Sequence, residues 1–551
     1  MEGQIKKFLA AVTLISLTVM YGCGGGGGGG TTAPSSYSIG GSVSGLTSSG
    51  LVLQNNASDD LSISANGTFR FPTSVTSGGT YSVTIKTQPS APTQTCAVAG
   101  GSGTVASSAI STVVVSCTVA WAWVGGSDSP GAIIGVYGTK GVAANTNMPG
   151  ARSDVIYWSD SAGNLWLFGG TGFDVNGNYG YLNELWMFTP STGQWTWVGG
   201  SNTMAADGVY GMKGVAASTN VPGARISAAH WQDSANNLWL FGGAGAASPG
   251  SAGNLNDLWK FNTNTKQWTW MAGSDVAGAV SVYGMQGVGA ATNVPGARIS
   301  PVSWTDSDGN FWLFGGAGPD GQGPFAYVSD MWMFSPTTGQ WTWVSGATSI
   351  GASGVYGTKG VASATNAPGA RIAPAYWADK SGNLWMLGGN GFDAVGADFL
   401  LNDLWKFNTR TQQWTWISGS DRTAAVAVIG TQGVPADDNV PGARYVAASW
   451  IDTAGHLWMF GGYGNFTLQE QILLGDLWMF DPTSKQWTFV SNSASYAGVY
   501  GTKGIAAAGN TPGARQSAAT WVDNNGERWF FGGAGYDSTI HWSVFNDLWK
   551  F

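Results

Sequence analysis

Four short stretches with the patterning of strands follow one another, again and again, along residues 120–551. In one copy, Ala224-Arg-Ile-Ser-Ala-Ala-His-Trp231 alternates as a strand does, and a tight turn follows at 233–237. Leu238-Trp-Leu-Phe-Gly-Gly243 is apolar at successive positions, as a strand buried on both faces is. A Gly/Ala/Ser-rich loop leads to Leu255-Asn-Asp-Leu-Trp-Lys-Phe261, and a second turn at 262–266 leads to Gln267-Trp-Thr-Trp-Met271. Each copy carries a Pro-Gly-Ala-Arg peptide, ending at Arg152, Arg225, Arg298, Arg371, Arg444 and Arg515, so the period is 73 residues with a last step of 71. Five tryptophan slots travel with it: Trp231, Trp239, Trp259, Trp268 and Trp270 in this copy, and Trp304, Trp312, Trp332, Trp341 and Trp343 in the next. Phe489 takes one slot in the fifth copy. Four antiparallel strands per unit at a fixed period predict the blades of an all-β propeller. Small residues fit the crowded inner strand, and the tryptophans fit the wedge-shaped gaps further out. Each ring would then remove roughly 150–250 Å² from water; stacking platforms for carbohydrate are the competing reading.

The two ends of the repeat region predict how the ring closes. Trp121-Ala-Trp-Val-Gly-Gly-Ser127 matches a fourth strand with no first three before it, and Asn546-Asp-Leu-Trp-Lys-Phe551 matches a third strand with no fourth after it. Pairing the strand at 120–125 with that terminal strand gives six blades and no open edge. An apolar run ending in Gly-Gly, then Leu-Asn-Asp-Leu-Trp, then Gln-Trp-Thr-Trp resembles the kelch repeat, and the expected fold is a six-bladed kelch-type propeller like the central domain of galactose oxidase. The connections between blades are longer than in a usual kelch repeat. They carry Tyr-Gly-x-Lys/Gln-Gly-Val at Tyr137, Tyr210, Tyr283, Tyr356 and Tyr500 (Ile in the last position at Ile505), with Ile429 in place of the tyrosine in the fifth blade.

The segments before the repeats read differently. Lys6 and Lys7 precede the apolar run 8–20, which is too short to span a bilayer. Met20-Tyr21-Gly22 leads from that run to Cys23, which seven glycines follow, so residues 1–23 resemble a lipoprotein signal with Cys23 lipidated; an ordinary secretory signal is the alternative. Gly24 in place of Asp implies by the same resemblance an outer-membrane anchor, facing the cell surface or the periplasm. Residues 24–36 read as a flexible tether. Residues 37–119 alternate like short strands and predict a small Ig-like β-sandwich. Its two cysteines, Cys96 and Cys117, are expected to form a disulfide in an exported domain.

Composition narrows the partners. A net charge of −8 with a pI near 4.8 argues against nucleic acid and against a basic membrane-binding patch. Contact with the membrane is expected through the lipid alone, and the protein is expected to be a monomer. Copper-radical chemistry of the galactose oxidase kind requires a cysteine, which residues 120–551 lack, and convergent histidines, whereas His230, His456 and His541 occupy different registers. No cofactor or metal is therefore expected. Asp160, Asp233, Asp306, Asp379, Asp452 and Asp523 each open a turn and are expected to cap it, with 306–310 slightly like a calcium loop. Glu184, Asp257, Asp330, Asp403, Asp476 and Asp547 start the third strand on the face where the arginine starts the first, predicting one ion pair per blade; a ring of arginines for an anionic ligand is the rival.

The segments between second and third strands, 171–181, 244–254, 317–328, 390–400, 463–474 and 534–545, are the parts of the repeat that differ strongly. Specificity on a rigid frame is expected in such loops. Phe173 with Asp174, Phe392 with Asp393, Tyr536 with Asp537, and His541 with Trp542 are the candidate ligand-binding residues, offering ring faces for sugars and carboxylates for hydroxyls. Trp542 has a second reading, as a plug over the closure of the ring. With a scaffold, an anchor and no nucleophile–base pair, the expected function is binding of a glycan or a protein, without catalysis. A sugar-acting enzyme is the alternative.

Overall fold

The computed structural model describes residues 34–90, 94–128, 132–319, 325–467, 470–492, 496–536 and 541–551. Residues 1–33, with the expected signal, Cys23 and most of the expected tether, and Asp537 lie outside the described residues. No helix occurs among them; the protein is all-β.

The amino-terminal unit is two four-stranded sheets over one apolar core. One sheet runs Gly67–Arg70, Ile39–Ser44, Ile110–Val119, Gln94–Ala99; the other runs Asp59–Ile63, Leu51–Asn55, Thr80–Thr87, Ser102–Thr104. Ile39, Val43, Leu51, Leu53, Val113 and Val115 meet between them, each at most 3% exposed. Cys96 and Cys117 sit opposite each other on adjacent antiparallel strands and are disulfide-bonded. This unit touches the repeats: the Asn66 side chain donates to the Gly433 carbonyl at 3.3 Å.

Six further sheets have the same four-stranded antiparallel core among the described residues. Their inner strands are Ile156–Ser159, Ala229–Gln232, Val302–Thr305, Ala375–Ala378, Ala448–Ile451 and Ala519–Val522. Each packs on the next, and the last packs on the first, so the contacts run in a circle compatible with a β-propeller. The sixth sheet is completed by Ala122–Gly125 pairing with Leu548–Lys550. Trp121 beside it is 3% exposed, packed among Phe460, Phe530, Trp549 and Phe551. Between sheets the repeated tryptophans interleave with phenylalanines, as Trp268 does between Phe168 and Phe261.

Two features differ from the pattern read in the sequence. The first strand is not continuous. Arg225–Ile226 pairs with the outer part of the second strand, Ser227 turns at φ 49°, and the inner strand then resumes at Ala229. The same kink recurs at Asp154, Ser300, Ala373, Val446 and Ser517, with φ between 47° and 56°. There the backbone N–H groups close a ring: Ser227 donates to Asp154, Ser300 to Ser227, Ala373 to Ser300, Val446 to Ala373, Ser517 to Val446, and Asp154 to Ser517, at 2.9–3.3 Å. A straight first strand would leave these six donors without that partner, and buried unpaired amides are costly. The second difference is in the segments read as loops, which largely fold as hairpins. Ala244 pairs with Asn254, Gly245 with Gly253 and Ala246 with Ala252, and strands as long as Ala252–Asn262 result. The Gly-Gly at the foot of each hairpin is required there: a Cβ on Gly243 would stand 2.4 Å from the Ile226 carbonyl oxygen.

The long connections cover the outer edge. Gly214 and Ala217 donate to the carbonyls of Trp270 and Trp268, and Lys213 lies 4.2 Å over the Trp270 ring while donating to the Gly273 carbonyl. The fourth strand is thereby capped against pairing with another chain.

Candidate functional site

The arginine and acidic series meet, one pair in each sheet, at the foot of the hairpins. Arg225 donates to Asp257 through both terminal nitrogens, at 2.6 and 2.8 Å, and also to the carbonyls of Gly223 and Gly242. Arg152–Glu184, Arg298–Asp330, Arg371–Asp403, Arg444–Asp476 and Arg515–Asp547 repeat the contact at 2.6–2.8 Å. Every partner is at most 1% exposed. The connection tyrosine completes the cluster: Tyr210 donates to Asp257 at 2.7 Å and Trp259 Nε1 to the same oxygen at 2.7 Å. Burial, with the Asp257 charge beside it, holds the Tyr210 phenol well above its usual pKa. Burial acts to lower the Arg225 pKa, but the Asp257 carboxylate beside it raises it, so the guanidinium stays protonated. All six guanidiniums are enclosed and paired with a carboxylate of their own sheet, though Arg515 Nε has no hydrogen-bond partner among the described residues, and this leaves none of them facing an anion at the axis.

The turn carboxylates are engaged in the same manner. Asp233 accepts from the amides of Ala235 and Asn237, and from Trp239 Nε1 at 2.8 Å. Asp174 and Asp393 follow this pattern too. Asp174 is 1% exposed and accepts from the amides of Asn176, Asn178 and Met204. Asp393, also 1% exposed, accepts from those of Val395, Ala397 and Thr423. Both carboxylates hold hairpin turns rather than standing open to sugar hydroxyls. The adjacent rings are half-buried: Phe173 packs on Tyr179 at 5.0 Å, and Phe392 on Tyr327 at 6.3 Å. Trp542 is 57% exposed, edge-on to Tyr536 at 6.0 Å, in a short strand pairing Ala534–Tyr536; His541 beside it is exposed. These residues do not form one cluster, since they rise from different hairpins of the same face.

The residues that do converge are others. Above the ring of backbone hydrogen bonds, Asp154 is the one acid among Ser, Ala and Val at the kink positions. Ser153 Oγ donates to it at 2.8 Å, yet burial outweighs such hydrogen bonds and raises its pKa. Its charge acts on Tyr179 and Tyr445, whose phenols burial also raises. Tyr445 packs on Tyr463 at 6.0 Å, and Tyr327 accepts a hydrogen bond from Asn390 at 3.0 Å. Two tyrosines from different sheets, Tyr179 and Tyr445, thus lie within electrostatic reach of the Asp154 carboxyl, and Tyr463 packs on the second of them. Sequence reading missed Asp154 because nothing marked residue 154 as facing the axis; its departure from the small residues at the matching positions was the available signal.

Below the ring, the second residue of each inner strand faces the axis: Tyr157, His230, Ser303, Tyr376, Ser449 and Thr520. Tyr157 and His230 lie 5.0 Å apart. Burial lowers the His230 pKa to about 4, so the imidazole is neutral at physiological pH. Among the described residues no group of three or more His, Cys, Asp or Glu side chains is placed to hold a metal ion.

No protein-family model matches this chain. No curated protein matches it either.

Proposed function

We propose that the chain is a six-bladed kelch-type propeller carried by an Ig-like sandwich, exported and tethered through Cys23, and that it binds a glycan or protein ligand on the hairpin face. One observation carries the reading. Six near-identical sheets carry hairpins that differ from one another, and the hairpin residue Tyr179 and the first-strand residue Tyr445, with Tyr463 packed on it, lie within electrostatic reach of Asp154. Tyrosine offers apolar ring faces and a hydroxyl at low entropic cost, the combination that glycan and protein recognition share. The exposed Trp542 and the half-buried Phe392 extend the same rim. A sugar-acting enzyme is the second reading, favoured by Asp154 alone: a carboxyl with raised pKa among tyrosines suits a general acid.

The test is a glycan array probed with the soluble protein from residue 34 onward, repeated with Tyr179→Ala and Tyr445→Ala. Binding that is lost in both variants while their unfolding transitions stay unchanged supports the hairpin face. Binding that survives both, and is lost instead on removing residues 37–119, would move recognition to the sandwich. Release of product from a bound glycan, abolished by Asp154→Asn, would convert the binding protein into the enzyme.

A further inference from the structure

The opposite end of the axis carries a second site that this reading does not use. A cavity of about 530 Å³ opens there, on the face of the first turns. It falls within the roughly 300–1,000 Å³ of small-ligand pockets. Tyr157, His230, Ser449 and Thr520 form its wall, and Ser159 and Gln232 stand nearer its mouth. The ring of backbone hydrogen bonds at residues 154, 227, 300, 373, 446 and 517 encircles the axis three residues before the wall positions and narrows the inner end of the well.

Two observations argue that the wall is built for a ligand and is not mere filling. The residue after the second position of each inner strand is tryptophan in all six, at 158, 231, 304, 377, 450 and 521, whereas that second position is Tyr, His, Ser, Tyr, Ser and Thr, and four of the six line the cavity. Packing alone explains the invariant ring pointing away from the axis. It does not explain six hydrogen-bonding side chains, of four kinds, at the position where alanine or valine would close the channel. The second observation is how the small hydroxyls are held. Ser449 Oγ donates to the Tyr376 carbonyl at 3.0 Å and Thr520 Oγ1 to the Ser449 carbonyl at 2.9 Å. With its proton committed, each hydroxyl oxygen remains an acceptor. The neutral imidazole of His230 has one donor and one acceptor nitrogen, and lies against the face of Tyr157.

The wall chemistry selects against charge. The one acid among the lining residues is Asp452, and its carboxylate already accepts from Trp458 Nε1 at 2.9 Å, from the His456 amide at 2.9 Å, and pairs with His456 Nδ1 at 2.8 Å. An ionic ligand would lose its hydration and gain no counter-charge. We propose that this axial well binds a neutral, hydroxyl-rich small molecule of about hexose size, stacked on Tyr157 and His230 and hydrogen-bonded to Ser449, Thr520 and Gln232.

The experiment uses methyl β-D-galactopyranoside, methyl α-D-glucopyranoside and methyl α-D-mannopyranoside as probes, with sodium glucuronate as the charged counterpart, in saturation-transfer NMR on the full exported chain. At least one neutral glycoside should saturate, and glucuronate should bind at least about tenfold more weakly. His230→Ala and Thr520→Val should each weaken the neutral probe by about tenfold, the loss expected for one or two buried hydrogen bonds. Ser159→Trp at the mouth should block binding whether or not the wall variants fold. Tyr179→Ala on the other face should leave it unchanged, which keeps this result separate from the fate of the hairpin-face proposal. The inference is overturned if no neutral glycoside saturates, if binding persists in Ser159→Trp, or if Tyr179→Ala removes it.

Discussion

Breaking one buried ion pair tests whether the repeated arginines serve the frame. In the third sheet Arg298 donates to Asp330 at 2.6 and 2.9 Å and to the carbonyls of Gly296 and Gly315 at 3.1 and 3.0 Å. Asp330 also accepts from Trp332 at 2.8 Å and Tyr283 at 3.1 Å. Arg298→Met removes the charge but keeps much of the stem, leaving a carboxylate at 0% exposure with two neutral donors. Removing one member of such a pair costs about 3–5 kcal/mol, because the remaining charge stays buried. Tyr283→Phe removes one hydrogen bond to a charged group and should cost about 1.5–3 kcal/mol. The double variant Arg298→Met/Asp330→Leu should recover part of the first loss, a coupling of at least about 1 kcal/mol. The fifth sheet is an internal control: Ile429 stands where the tyrosine should, so Asp476 is left with Arg444 and Trp478. Ile429→Tyr should therefore stabilise, by about 1 kcal/mol if the ring fits. Tryptophan fluorescence under urea is the assay, since no tryptophan precedes Trp121 and the signal reports the repeats alone. For a unit of some 430 residues a loss of about 4 kcal/mol lowers the thermal midpoint by only about 4 °C, so denaturant is the better axis. Strict additivity of the two single changes, or a loss under about 1 kcal/mol for Arg298→Met, would refute the argument.

Two further outcomes follow from the same geometry. Trp121→Ala should destabilise the ring by about 3–5 kcal/mol, and deleting residues 119–125 should expose the edge of Leu548–Lys550 and drive aggregation, read by light scattering; unchanged unfolding of the deletion variant contradicts closure. His230, lowered to about 4 from 6.5, takes up its proton in the unfolded chain first, so stability should be unaffected above pH 6.5 and fall as pH drops toward 4. The loss approaches about 3 kcal/mol at its full extent and should be absent in His230→Gln; identical pH profiles for the two proteins would refute it.

The frame was legible because it is written in side chains. Arginine and acid stand 32 residues apart in every copy, from Arg152–Glu184 to Arg515–Asp547, and each pair belongs to strands starting on one face. The kink was not legible, because its hydrogen bonds are made by backbone. Ser227, Ala373 and Val446 carry no mark of positive φ, and valine is among the residues least suited to it. The hairpins were read as loops because Gly and Ala dominate Gly245, Ala246 and Gly253, residues that β-propensity ranks low although they pair in register. Asp174 and Asp393 were read as ligand groups because each follows a phenylalanine. The better signal lay downstream: Asp174-Val-Asn-Gly-Asn178 has the form of Asp160-Ser-Ala-Gly-Asn164, a capped turn, and both aspartates bond accordingly.

The axis positions follow from a period of two that extends past the tryptophans. A strand places neighbours on opposite faces, so an invariant Trp158-type ring facing the sheet interior obliges the residue before it to face the axis. Six backbone amides bonded head to tail around that axis then mark off its two ends, and each end is lined by positions that the repeat leaves free to differ. The kinks that make the division cost about 1–2 kcal/mol each for residues other than glycine. Glycine would remove that cost, yet none of the six positions is glycine. Retaining side chains at all six strained positions is costly for a protein that only fills its centre, and it is what places the one acid of the ring, Asp154, at the axis, with the His230 positions three residues further along the strands.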